Sequence, residues 1–300
     1  MTWLAIGPPA WNLVDDVRQL LSYDFMRHAV LAGTCIALAA GLVGYFVVLR
    51  NQVFTSDALG HVAFTGGLGG LFIGLPLLAG VYLSTVAAAL GMGSLGGRAR
   101  ARDVAIGTLF AWVLGLGVLF LSLYTTGQST SNGVLGISVL FGSILGLQTT
   151  QTAVAAVAGV ATSLALFGIC RPLLFCSIDP DVAAARGVPT RLVAGIFLVL
   201  TAVTVAEAVQ AVGALLIFAL MVTPAAVAQK LTARPYAGLA AAAALAIAFV
   251  WAGLALAFWT PYPASFYITA VAFGSLLVAV LLERLRWPLA GSRARAPRLE

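Results

Sequence analysis

FVVLRNQVFTSDALGHVAFTG, residues 46–66, is the stretch on which the reading of this chain turns. An apolar run stops at Arg50, a short polar link follows, and a second apolar run opens that carries Asp57 and His61 four residues apart. The same alternation of long apolar segments and brief breaks extends outward in both directions. Of the 300 residues, 61% are apolar and 9% charged, against roughly 45–50% and 25% in a soluble domain, which excludes a soluble fold. At about 20 residues per crossing, apolar spans are read at 25–49, 54–73, 75–95, 104–124, 152–175, 192–209, 211–229, 236–258 and 264–283. The expectation is an all-α polytopic transmembrane helix bundle of about nine spans. Eight full spans plus a re-entrant piece fit almost as well, because the sixth and seventh are separated only by about Val209 to Ala211 and the second is polar.

The formal net charge of +6 is a topology signal and gives no footprint for nucleic acid. If the first span runs inward, Arg18 and Arg27 lie outside and the other fourteen of sixteen Lys and Arg lie inside, including Arg98, Arg100, Arg102 and the tail from Arg284 to Arg298. This positive-inside bias places the N-terminus outside and the C-terminus in the cytoplasm. Residues 1–24 read as an interfacial segment, with Trp3, Trp11 and Leu20 toward lipid and Asp15, Asp16 and Arg18 toward water. Residues 25–287 form the membrane domain and 288–300 a basic cytoplasmic tail. TTGQSTSN, residues 125–132, falls on the outer side, and the apolar stretch 134–147 after it is too short to span, so it needs protein around it. Cys35, Cys170 and Cys176 lack the spacing of a disulfide framework or zinc knuckle and read as core residues.

Ionisable groups inside a membrane cost at least about 2.5–3.5 kcal/mol each on insertion scales, so they are where function is sought. Asp57 and His61 fall one turn apart on one helical face. Together a carboxylate oxygen and an imidazole nitrogen make half of a four-coordinate site for a divalent transition ion. The structural alternative is that Asp57 caps a helix and His61 hydrogen-bonds to it. Glu207, in TVAEAVQAVG, is placed near the outer surface, where it is either a wet turn or, with Gln210, a vestibule group drawing cations toward the site. His28, beside Arg27, reads as an interfacial side chain. IDPDVAAARGVPTRL, residues 178–192, reads as a short surface helix: Asp179 caps it, Pro180 takes its first position, Asp181 favours the positive end and Gly187 ends it. No ATP-binding loop is encoded, since the single lysine, Lys230, stands in QKLT.

Five blocks in order resemble the permease family of ABC importers for zinc, manganese or iron(II). They are SYDFMRHAVLAG from Ser22, the Arg50 to His61 segment, LFGSIL from Leu140, the loop 178–192, and VGALLIFALMVTPAAVAQKLTARP from Val212 to Pro235. The resemblance implies a type II importer-like permease, not an enzyme, in the cell membrane. Its partners would be an ABC ATPase subunit that binds the ATP, an extracytoplasmic metal-binding protein and a second copy of itself. It implies no permanently bound cofactor, transported Zn2+ or Mn2+ and, in third place, Fe2+. Asp57 and His61 would meet their copies near the two-fold axis, and residues 179–188 would be the coupling helix, with Asp179, Pro180, Asp181, Arg186 and Gly187 docking into the ATPase. Three departures bear on the metal. Phe64, Thr65 and Gly66 replace a leucine-proline-glycine turn; GTLFAWVLGLG, residues 107–117, lacks the histidine of some zinc relatives; and WTPYPAS, residues 259–265, replaces an acidic outer turn. The alternatives are a proton-coupled secondary carrier using Asp57, His61 and Glu207 as a relay, and an ABC permease for a metal chelate. The charge count predicts that Thr130→Cys reacts with a membrane-impermeant thiol reagent from outside and Ser94→Cys only from inside; reversed labelling would overturn this orientation.

Overall fold

The computed structural model describes residues 13–94, 99–127, 140, 142–214 and 217–291. Eleven α-helices and no strand occur among them: α1 Leu13–Ser22, α2 Asp24–Leu49, α3 Val53–Phe72, α4 Leu77–Ser94, α5 Ala99–Gly127, α6 Thr149–Ile178, α7 Pro180–Ala185, α8 Thr190–Val212, α9 Ile217–Leu231, α10 Pro235–Trp259 and α11 Ala264–Gly291. Each of the nine apolar spans read from the sequence falls on a helix. Seven of them, α2, α4, α5, α6, α8, α10 and α11, are long and apolar enough to cross a membrane. The count of nine is therefore reduced to seven on that criterion. The two that fall short do so for different reasons: α3 is long enough, at 20 residues, but carries Asp57, His61 and several small polar side chains, whereas α9 has only 15 residues, about 22 Å of helix against a hydrocarbon core of about 30 Å.

The expected break at Val209 to Ala211 also moves. α8 runs on to Val212 and stops at Gly213, whose φ of 91° ends the helix where a side chain would be strained. Trp3, Trp11, the polar run beyond Gly127, Arg98 and the tail beyond Gly291 lie outside the described residues. Of the short apolar stretch, residues 144–146 form a 3-10 turn with Ile144 buried, and Gly142 lies on the backbone at the end of α8. Of the described part of that stretch, Ile144 and Leu147 are buried in protein. α1 joins α2 through Tyr23, and the Arg27 Nε donates to the Leu21 carbonyl at 2.6 Å, placing a cation at the negative end of α1.

α2 is the central column. In its most apolar stretch 72% of residues are buried within the protein, against 17% for α5, which is therefore peripheral. α2 packs on α10, α6, α9 and α8, and small residues let those backbones close in. A Cβ at Gly44 would meet the Met221 carbonyl of α9, and one at Gly41 would meet the backbone of Ala242 and Ala243 in α10. In lipid such close approach supplies the dispersion energy that water-driven burial supplies elsewhere. Gly66 and Gly70 of α3 likewise meet Gly80 of α4, so this glycine stripe packs two helices together and does not line a path.

Overpacking a tight helix contact costs about 1–3 kcal/mol or more. Gly44→Val is expected to abolish most of the monodisperse membrane-extracted protein on size-exclusion chromatography, whereas Gly115→Val, with nothing within 4 Å of its Cβ position, should leave the yield near wild type.

Candidate metal site and docking turn

α2 and α3 are joined by only Arg50, Asn51 and Gln52, with Asn51 at a φ of 53°. Gln52 occupies the N-cap of α3 without a side-chain cap bond, so Asp57, at the fifth helical position, does not cap the helix. His61 follows one turn later on the same face. Neither side chain enters a hydrogen bond or ion pair with the described residues, and both are half-buried beside fully packed Ala58, Leu59 and Val62. Phe110 of α5 meets the His61 ring edge-on at 4.9 Å and also touches Phe54, which is exposed on the same strip of α3. On the opposite side, Gly60 abuts Ala214 and Ile217 at the α8–α9 break. Two metal-ligating side chains are thus presented together on a strip that the protomer's own helices leave open. No third His, Cys, Asp or Glu joins them among the described residues.

At one end of the bundle, α7 forms as the residue chemistry dictates. Asp179 Oδ1 accepts from the Asp181 and Val182 amides at 3.1 and 2.9 Å, and Pro180 opens the helix. Arg186 is the C-cap; Gly187, at a φ of 81°, donates to Ala184 and Val188 to Ala183, both across about 3 Å, a Schellman closure. Ala183 is buried against the bundle while Asp181, Val182 and Arg186 face out. Beside α7, the Arg50 guanidinium donates to Ser177 Oγ at 3.3 Å and lies 5.6 Å over the Phe197 ring, tying α2, α6 and α8. A cavity of about 790 Å³ opens at this end, lined by Arg50, Gln52, Ser94 and Arg191 over Met92 and Leu198, with no carboxylate among its lining residues.

Glu207 overturns the expectation of a wet turn near the outer surface. None of its surface is exposed, and neither carboxyl oxygen has a hydrogen-bond partner among the described residues. It lies within electrostatic range of Cys35, eleven residues into the 26-residue α2. Sequence reading missed Tyr82 and Phe110. Tyr82 is the one phenol in the α4 span, a signal available in the sequence; Phe110 is one of many apolar aromatics and carries none.

The family model described as the ABC 3 transport family matches residues 22–283. The chain belongs to that family. This bears out the resemblance to metal-ion ABC transporter permeases, membrane subunits whose ATP hydrolysis sits on a separate subunit. Among its relatives, the manganese transport system membrane protein MntC of Halalkalibacterium halodurans is 31% identical over 224 residues, covering 74% of this chain and 75% of that one. A Haemophilus influenzae protein named "Probable iron transport system membrane protein" is 26% identical over 222 residues, 73% and 79% of the two chains. A chain in the structure of PsaBC from Streptococcus pneumoniae in complex with Fab superimposes with a TM-score of 0.78 at 25% identity, over 89% of this chain and 95% of that one. The ABC 3 membership also settles the place of the secondary carrier, which it does not favour.

Replacing a carboxylate N-cap by alanine costs about 1 kcal/mol, roughly a five-fold change in a local opening equilibrium. Asp179→Ala should therefore speed hydrogen exchange of the Asp181 and Val182 amides about five-fold, while Asp179→Asn, also a capping residue, should leave it close to wild type.

Proposed function

We propose that this permease imports a divalent first-row metal ion as a homodimer, with Asp57 and His61 of each protomer converging on one site at the two-fold axis. The observation that carries the reading is the open pair on α3, which has no partner among the described residues. Two ligands are too few to hold an ion. Two copies supply two carboxylates and two imidazoles, and the two negative charges offset a dication that would otherwise be too costly to desolvate. Imidazole and carboxylate accept Mn2+, Fe2+ and Zn2+ alike. The names of the manganese and iron relatives favour Mn2+ or Fe2+ over Zn2+, as does the absence of histidine from residues 107–117. Water completes the shell of a six-coordinate ion. Bare ion ligands, rather than a wide neutral vestibule, favour a free ion over a chelate.

α7 is the coupling helix: its capped, outward face with Asp181, Arg186 and the Gly187 turn docks into the ATPase subunit, and that end of the bundle is cytoplasmic. The N-terminus is then extracytoplasmic, and α3 and α9 complete nine crossings alongside the seven apolar spans. A metal-binding protein delivers the ion from outside. The ion leaves along the face between protomers, because the Arg50 and Arg191 cavity repels a dication. Glu207, enclosed within the protomer, sits off that route in this conformation, so an entry role requires a state in which α8 opens.

The test is ATP-dependent uptake of Mn2+, Fe2+ and Zn2+, each in competition with the others, in metal-starved cells that also express the ATPase and binding protein. Wild type should take up Mn2+ or Fe2+ in preference to Zn2+. Asp57→Ala and His61→Ala should each reduce uptake at least about ten-fold, the loss expected for about 1.4 kcal/mol or more of missing site energy, while assembly with the ATPase persists. Undiminished uptake in both variants would refute the site.

A further inference from the structure

Glu207 takes no part in the proposed ion pathway, and its own chemistry does not depend on which ion is carried. It precedes Gln210 by three residues on α8, so the two side chains share a face. Tyr82 of α4 sets its hydroxyl toward the Gln210 side chain and within electrostatic range of the Glu207 carboxyl, and Cys35 of α2 lies within the same kind of range. Tyr82 and Cys35 are the titratable groups set against it. Of the other helices packed on α8, α6 carries Cys170, Arg171 and Cys176 in its turns toward α7, α9 carries only Lys230, paired with Glu283, and α3 carries Asp57 and His61 on its open strip.

Four oxygens are enclosed here without a hydrogen-bond partner among the described residues: Glu207 Oε1 and Oε2, Gln210 Oε1 and Tyr82 Oη. The Gln210 amide nitrogen donates one N–H to the Ala206 carbonyl at 3.4 Å and keeps a second, on the side of Tyr82. An ionised Glu207 would add only acceptors to this group, whose remaining donors, the Tyr82 hydroxyl and the second Gln210 N–H, are neutral, so the buried negative charge would have no counterpart. One added proton resolves the set: the Glu207 acid donates to Gln210 Oε1, and Tyr82 donates to the other Glu207 oxygen. We propose that Glu207, Gln210 and Tyr82 form a proton-binding site enclosed within each protomer, the proton resident on Glu207 while α8 is packed against α2 and α4. If α8 separates from them, water reaches the carboxyl, takes the proton as hydronium and leaves a hydrated carboxylate. α8 follows directly on α7, so the site is tied to the helix that meets the docking turn.

The test is infrared spectroscopy of the purified permease–ATPase complex in lipid nanodiscs at neutral pH, with elemental analysis of the same samples. Wild type should show the carbonyl stretch of a protonated carboxylic acid. The band should vanish in Glu207→Gln and move to higher wavenumber in Tyr82→Phe, which removes the hydrogen bond to the carbonyl oxygen. Should Glu207→Gln not assemble, glutamate carboxyl 13C labelling of wild type, which must shift the band, and Tyr82→Phe carry the test alone. Absence of an acid band, a band that survives in Glu207→Gln or ignores the label, or a metal ion held by wild type and lost with Glu207→Gln would overturn the proposal.

Discussion

Desolvation sets the terms for this molecule. A charge or unpaired polar atom withdrawn from water costs several kcal/mol unless something answers it, and the bundle's layout reflects how each such group is treated. Arg50, at the end of the central helix, is answered by Ser177 and the Phe197 ring. The buried hydroxyls of Thr85, Ser163, Thr201 and Thr204 turn back on carbonyls of their own helices. Asp57 and His61 are half-buried on a strip that the described helices leave open. Glu207 is enclosed and, among the described residues, has no hydrogen-bond partner, which sets this carboxyl apart from the other charged groups.

Packing carries the second half of the fold. Lipid tails are as apolar as leucine, so burial alone does not hold transmembrane helices together. Contact between backbones does, and α2 reaches it through Gly41 and Gly44 against α10 and α9, while α3 and α4 reach it through Gly66, Gly70 and Gly80. The glycine run beside His61 therefore has a structural cause. What positions Asp57 and His61 is the tight three-residue link from α2 together with Phe110, which closes one side of the imidazole.

Much of this was legible in the sequence because its physical causes are local. The apolar run lengths located all nine long helices, and Asp179, Pro180 and Gly187 spelled out α7 cap by cap. Legibility failed where the cause was tertiary. Glu207 looked like a surface group because a count of residues from a span end gives position along a helix but not which face it turns to a neighbour. α8 also overran its expected end, because the stop is set by the conformation of Gly213 and not by a polar break. The span count is not fixed by the same route, since length and hydropathy alone give seven spans and do not decide the place of the polar helix α3 or the short α9. Tyr82 became meaningful only when α4 was set beside α8.

The junction at Asp179 has a mechanical side. Asp179 is at once the last cap of α6 and the first cap of α7, so no residue of slack separates a 30-residue helix, about 45 Å long, from the turn. On the far side only four residues, Arg186 to Pro189, lead to α8, and the first three are held by backbone bonds into α7. A load applied to α7 is therefore not absorbed by loop bending. It is passed directly to α6 and α8, the long helices on either side of the turn, and in α6 it meets Pro172, six residues before that helix ends at Ile178.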